Sequence, residues 1–254
     1  MNYLLKDKLV RNAKLYLIEN DLAHDFTHAL RVLQLSEVLQ KEEGGDLEII
    51  VPAALLHDLI VHKKSSLKSN LSATHSAELA RSFLHDFDDY PRDKISKVCE
   101  IINKCSFSKG DNAPSIEGAI VQDADLIESA GAMGIMRTFY YASQIDSELF
   151  SEDDILASSR DHNAKKYALD FISSRARNLD GRVRTALGQK IYAQRKLFLD
   201  EFISQVAIES KQIESLPSTY QDYEKHELDG HKSYLINQSL KYNRRFFNEA
   251  IMQN

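Results

Sequence analysis

The sequence is poor in the residues that punctuate or staple a fold. Of 254 residues, nine are glycine, four proline, two cysteine and none tryptophan. Scarce glycine and proline leave few places for the tight turns of a hairpin-rich β fold, and no convincing pair of alternating strands is visible. The two cysteines, Cys99 and Cys105, are too far apart for a CxxC motif and would face different sides of one helix. They are expected to be reduced core residues, in keeping with a cytoplasmic location. No run of 18 apolar residues occurs, so no membrane span is expected. The N-terminus, MNYLLKDKLV, lacks the apolar stretch of a signal peptide. A basic surplus is missing too. With 32 Lys and Arg against 38 Asp and Glu, the net charge is −6, which argues against a nucleic-acid polymer as partner.

What the chain does have is helical periodicity, which predicts an all-α fold. Helices are expected over about 3–20, 26–43, 47–59, 73–86, 91–104, 115–130, 135–141, 161–177, 182–214 and 231–252. Asp25 is a good N-cap for the second of these, and Gly44-Gly45 a good stop. Ser72 is expected to cap the fourth. The domain is placed at 1–215, with a helical extension over 216–254 packing on or next to it.

The most informative stretch is VPAALLHD, residues 51–58. An apolar, and therefore central, helix delivers His57 and Asp58 side by side at its end. Burying that pair is costly without a partner for both, and a divalent metal is such a partner. Other ligands have candidates. His28 shares an inward stripe with Val32, Leu35 and Leu39. Asp123 and Asp125 interrupt the apolar helix 115–130, where aspartate is a poor helix former. Spaced by two, they point about 200° apart, so only one of them can face an inner site.

The order His28, His57-Asp58, Asp123/Asp125 resembles the HD-domain metal-dependent phosphohydrolase superfamily. The likeness lies in HDFTHALRV, AALLHDL and IVQDADLIESAGAMGIMRTF, with a further echo in YAQRKLFLDEFISQVAIE. The third string is similar to that of a bacterial subfamily whose Asp-Ala-Asp is followed by a Gly-Ala-x-Gly-Ile helix. The resemblance implies an HD-domain helical bundle of roughly nine to eleven helices. It implies one divalent ion (Mn, Ni, Co, Mg, Fe or Zn) held by His28, His57, Asp58 and Asp125. Binuclear relatives supply another histidine where Ser106-Phe107 stands here, which favours a single ion.

The implied activity is hydrolysis of phosphate esters or anhydrides, with a nucleotide as the expected partner. Asp58 is the candidate to accept a proton from the attacking water, with Asp123 as fallback. Arg31, Lys63, Lys64 and Arg137 are candidate phosphate contacts, because phosphate needs cations and this chain is otherwise acidic. His75 is a further candidate for substrate. Arg184 and Arg195 are more distant cations, expected at the surface. His24, His62, His85 and His162 are expected to face solvent. The sequence departs from the subfamily at Leu126-Ile127-Glu128, where relatives often have Arg and then Leu-Asp. Two other functions fit an HD domain: a degenerate module that binds a nucleotide as sensor, and a di-iron oxygenase, which needs about six ligands. A homodimer is a candidate assembly.

Overall fold

Residues 1–17, 21–62, 66, 68–105, 113–176 and 178–214 are described by a computed structural model. These residues contain nine α-helices and no strand. The helices are α1 (Tyr3–Tyr16), α2 (Phe26–Glu43), α3 (Leu47–Leu56), α4 (Ser72–His85), α5 (Ile95–Lys104), α6 (Ile116–Glu128), α7 (Gly131–Gln144), α8 (Ala168–Phe171) and α9 (Ala186–Glu214). The all-α expectation holds.

Local sequence explains most of the boundaries. The Asp25 side chain accepts from the His28 N–H and so caps α2. At the other end Gly44 adopts φ 80°, and its N–H reaches the Gln40 carbonyl. Asp46 and Ser115 cap α3 and α6 in the same way. Ser72 does not cap α4 as expected. It is the first helical residue, and its hydroxyl accepts from the His62 N–H at 3.0 Å.

Helix α3 is the buried centre, with every residue from Ile49 to Leu56 buried. It packs on α2, α5 and α6. Pro52 lies inside it and has no N–H for the Glu48 carbonyl one turn back. The hydroxyl of buried Tyr90 donates to that carbonyl at 2.6 Å and replaces the missing bond. Burial pushes the Tyr90 phenol above its ordinary pKa, so it stays a donor.

One apolar core joins α1 through the first part of α6. A second gathers Leu126, Ile127 and Ile135 with Ile172, Leu179, Val183, Tyr192 and Leu199. Helix α6 runs through both, which places its polar residues against two different sets of neighbours.

Several expected helices differ in extent. The third ends at Leu56, so His57 and Asp58 lie in the turn that follows rather than inside a helix. The seventh begins earlier, at Gly131, whose φ of 76° a side chain would strain. The helix expected over 161–177 is reduced to α8 and one π-helical turn, Ile172–Ala176. Asp170 explains the reduction. Its buried carboxylate accepts from Arg160 Nη1 (2.5 Å) and Nη2 (2.9 Å) and from the Asn163 N–H (2.6 Å). Those bonds hold residues 160–163 in a loop beside α8 rather than in a helix leading into it.

The chain divides into two compact units, Met1–Ala207 and Ile208–Asn254. Of the second, residues 208–214 are described, and they are helical. The extension expected over 216–254 lies outside the described residues. No helix among the described residues is long and apolar enough to cross a membrane. Cys99 and Cys105 are both free and buried, as expected.

Candidate functional site

The caps that start α2 and end α3 also aim the site. Because Asp25 fixes the first turn of α2, His28 sits on its inner side, fully buried. At the end of α3 the last carbonyls lack helical partners. His57 Nδ1–H donates to one of them, Ala54 O, at 2.9 Å. That bond fixes the tautomer and turns Nε2 inward, where it is buried and not hydrogen-bonded.

Asp125, on α6, meets both imidazoles. Its Oδ1 is 3.4 Å from His28 Nε2 and 3.7 Å from His57 Nε2. Asp58 Oδ2 lies 3.3 Å from His57 Nε2 and 3.8 Å from His28 Nε2. The ligand atoms of His28, His57 and Asp125 all fall within 4.8 Å of one another. Nitrogen and oxygen ligands about 2.1 Å from one ion stand roughly 3.0–3.5 Å apart, so the cluster fits a divalent ion with little adjustment.

The electrostatics point the same way. Burial opposes a charge on His57, but Asp58 and Asp125 override it and hold that imidazole well above its ordinary pKa. Burial alone would raise Asp125, yet the two imidazoles hold it well below the usual carboxylate range. Asp58 is held low by His57, and next by His24, against the same burial. His28 is lowered by burial, with Arg137 adding to the effect against Asp125. Two anions facing one buried pair of imidazoles is a charge balance that a divalent cation completes.

The other sequence candidates are placed as follows. Asp123 is fully buried on the opposite side of α6 and is not part of the cluster. Its carboxylate accepts from the N–H of Arg184 (2.9 Å), the N–H of Thr185 (2.6 Å) and Thr185 Oγ1 (2.7 Å). It thereby clamps the start of α9, and the expected fallback in proton transfer loses its physical basis. Arg31 Nε donates to Glu128 Oε2 at 2.7 Å. Arg137 lies at the cluster: Nε donates to Ala23 O (2.8 Å) and Nη2 to His28 Nε2 (3.3 Å). His75 Nδ1 pairs with His62 Nε2 at 2.8 Å, and both rings are half-buried, so His62 does not simply face solvent. Lys63 and Lys64 lie outside the described residues.

Three residues near the cluster have partners that their sequence positions do not announce. Glu128 is 2% exposed and holds Arg31 and also Arg195, whose Nη1 donates to Glu128 Oε1 at 3.2 Å. Glu128 Oε2 lies 4.0 Å from His28 Nδ1. Arg195 also donates to Ile127 O at 2.7 Å, so it is a structural cation and not a surface one. His24 does not face solvent either. It sits edge-on to His28 with ring centres 6.2 Å apart, and its Nδ1 is 3.1 Å from the Asp21 carboxylate. The HDFTH spacing, which puts His24 one turn ahead of His28, is the available signal.

Comparison with known proteins gives a family match and several relatives. The HD domain family matches residues 25–130. The uncharacterized protein YpgQ of Bacillus subtilis is 32% identical over 144 residues, 54% of this chain and 66% of YpgQ, so the chain spans just under two thirds of that relative. A crystal structure of YpgQ in complex with ADP aligns over 80% of this chain and 97% of that one, with TM-score 0.59 and 27% identity. An HD-superfamily hydrolase from Bacillus thuringiensis shares the fold at TM-score 0.62 and 24% identity, over 81% of this chain and 96% of that one. The matched span runs from the N-cap of α2 to the residue before α7 and holds all four cluster residues.

Proposed function

We propose that this protein is a metal-dependent phosphohydrolase that acts on phosphate ester or anhydride bonds of nucleotides. The observation that carries the proposal is the convergence of His28, His57 and Asp125, with Asp58 beside them, on one point from three separate elements. His28, His57, Asp58 and Asp125 hold one divalent ion. Such an ion lowers the pKa of a bound water and polarises a phosphoryl oxygen.

The chain's own residues do the rest. The Ala54 carbonyl keeps the His57 lone pair directed inward. Asp58, more open to solvent than the two imidazoles, receives the proton of the attacking water. Arg137, within reach of the cluster, takes a phosphate oxygen. Arg31 acts indirectly by fixing Glu128. His75 and Lys63 and Lys64 contribute at the substrate side. The nucleotide as substrate class is supported by YpgQ, whose structure is a complex with ADP.

The test is a panel of nucleoside mono-, di- and triphosphates incubated with the protein and Mn, Co, Ni or Mg, with product identification. Metal-dependent release of phosphate or pyrophosphate is expected. Absence of turnover on every phosphorylated compound by metal-loaded protein contradicts the proposal.

A further inference from the structure

His28 Nε2 is the nitrogen that faces the cluster, and it already has a partner. Arg137 Nη2 lies 3.3 Å from it. A guanidinium has only donors, so His28 must accept at Nε2 and carry its proton on Nδ1. That assignment accords with the position of Glu128 Oε2, an acceptor 4.0 Å from Nδ1, and with the absence of any nearer partner for that buried atom. Arg137 is tethered independently of His28. Its Nε donates to Ala23 O at 2.8 Å, and Nη1 approaches Glu128 O at 3.5 Å. The guanidinium therefore stays beside the cluster whether or not His28 accepts from it.

One lone pair on His28 Nε2 has room for one partner. Resting on the proposed metal site, we infer that Arg137 and the ion compete for His28 Nε2, and that a phosphoryl oxygen takes up Arg137 once it is displaced. The guanidinium contact holds the His28 imidazole with Nε2 toward the cluster. When His28 turns its lone pair to the ion, Arg137 keeps its bond to Ala23 and is left with Nη2 facing the same small space. Two cations side by side there are unfavourable, and an anion bridging both removes the conflict. A phosphate or diphosphate group is that anion, because it offers oxygens to a planar fork and to a metal together. Arg137 is thus a positioning residue for His28 in one state and a substrate contact in the other. Metal and phosphate binding are coupled through it.

The experiment compares wild type, Arg137→Gln and Arg137→Lys by calorimetry. Mn²⁺ is titrated into metal-free protein, and methylenediphosphonate, a diphosphate that is not hydrolysed, is titrated into Mn-loaded protein. A thermal melt of each variant confirms folding. For Arg137→Gln the expected result is Mn²⁺ binding about threefold tighter or more, because the competitor is gone. Diphosphonate binding should weaken by about tenfold or more, as one charge-assisted contact is lost. Arg137→Lys keeps a charge but not the fork, and should recover part of the diphosphonate affinity. The inference is overturned if Mn²⁺ binds Arg137→Gln no more tightly than wild type, or if diphosphonate affinity is unchanged. Failure of wild type itself to bind Mn²⁺ overturns the metal site and this inference together. Mn²⁺ binding to wild type with no change in the variants removes the inference alone.

Discussion

Two aspartates two residues apart on α6 do opposite work. Asp123 is fully buried, and its two oxygens answer three donors at the start of α9. Asp125 faces two imidazoles, one of which, His57, leaves a buried nitrogen without a hydrogen bond. One side of the helix is saturated with hydrogen bonds, and the other carries more ligating capacity than the protein uses. A buried polar group without a partner costs roughly 1–3 kcal/mol. Asp123, Asp170 and the Glu48 carbonyl are satisfied, whereas His57 Nε2 and His28 Nδ1 are buried without a hydrogen bond, and under the proposed function His57 Nε2 is an atom that binds the ion. Under the proposed function, the difference separates stability from function along a single helix.

The largest effects should come from the open side. Asp125→Ala or His57→Ala is expected to remove metal-dependent phosphate release by about a thousandfold or more, since a missing ligand removes the ion. The thermal melt of the metal-free protein should move far less than for a clamp variant. If Asp125→Ala lowered the melting temperature as much as Asp123→Ala does and the folded protein still bound Mn²⁺, the two sides of α6 would have been assigned the wrong way round.

On the saturated side, Asp123→Ala leaves three donors unpaired and should lower unfolding stability by about 3 kcal/mol in urea titrations. The folded fraction should still take up Mn²⁺ with the wild-type stoichiometry. Loss of metal in well-folded protein would put Asp123 back at the site.

Tyr90→Phe isolates a smaller example of saturation. It orphans the Glu48 carbonyl under Pro52, at an expected cost of about 1 kcal/mol. In a Pro52→Ala background the helix can supply its own N–H, so the cost of Tyr90→Phe should shrink. An unchanged cost would mean that the phenol acts by packing alone.

The smallest effect concerns acid. The Asp170 carboxyl would be raised by burial, but the Arg160 guanidinium and the Asn163 N–H hold it below the usual range. A group whose pKa is lower in the folded state stabilises above its unfolded pKa, about 4, and loses that contribution as pH falls through the folded pKa. Melting temperature should therefore fall below pH 4 more gently in Asp170→Asn than in wild type. Parallel slopes would remove Asp170 from the list of saturated anchors.

Much of this was legible in the residues. Asp25 and Gly44 mark the ends of α2 through bonds made within four residues, and such local chemistry can be read along a chain. The opposed directions of Asp123 and Asp125 follow from helix geometry, and the family resemblance chose between them. What was hidden depends on distant partners. Nothing near Glu48 announces that Tyr90, 42 residues away, will mend the gap left by Pro52. Glu128 looked like a departure from a pattern, because its partners Arg31 and Arg195 lie 97 and 67 residues away. The expected helix 161–177 gave way to a loop because Arg160 and Asn163 find Asp170, an arrangement that helical periodicity does not encode.

The central claim is that His28, His57, Asp58 and Asp125 form one metal site. Its most direct test is Mn²⁺ stoichiometry by calorimetry on metal-free wild type, His57→Ala and Asp123→Ala. One ion per chain is expected in wild type and in folded Asp123→Ala, and none at that site in His57→Ala. Two ions per chain in wild type, or undiminished binding by His57→Ala, would contradict it.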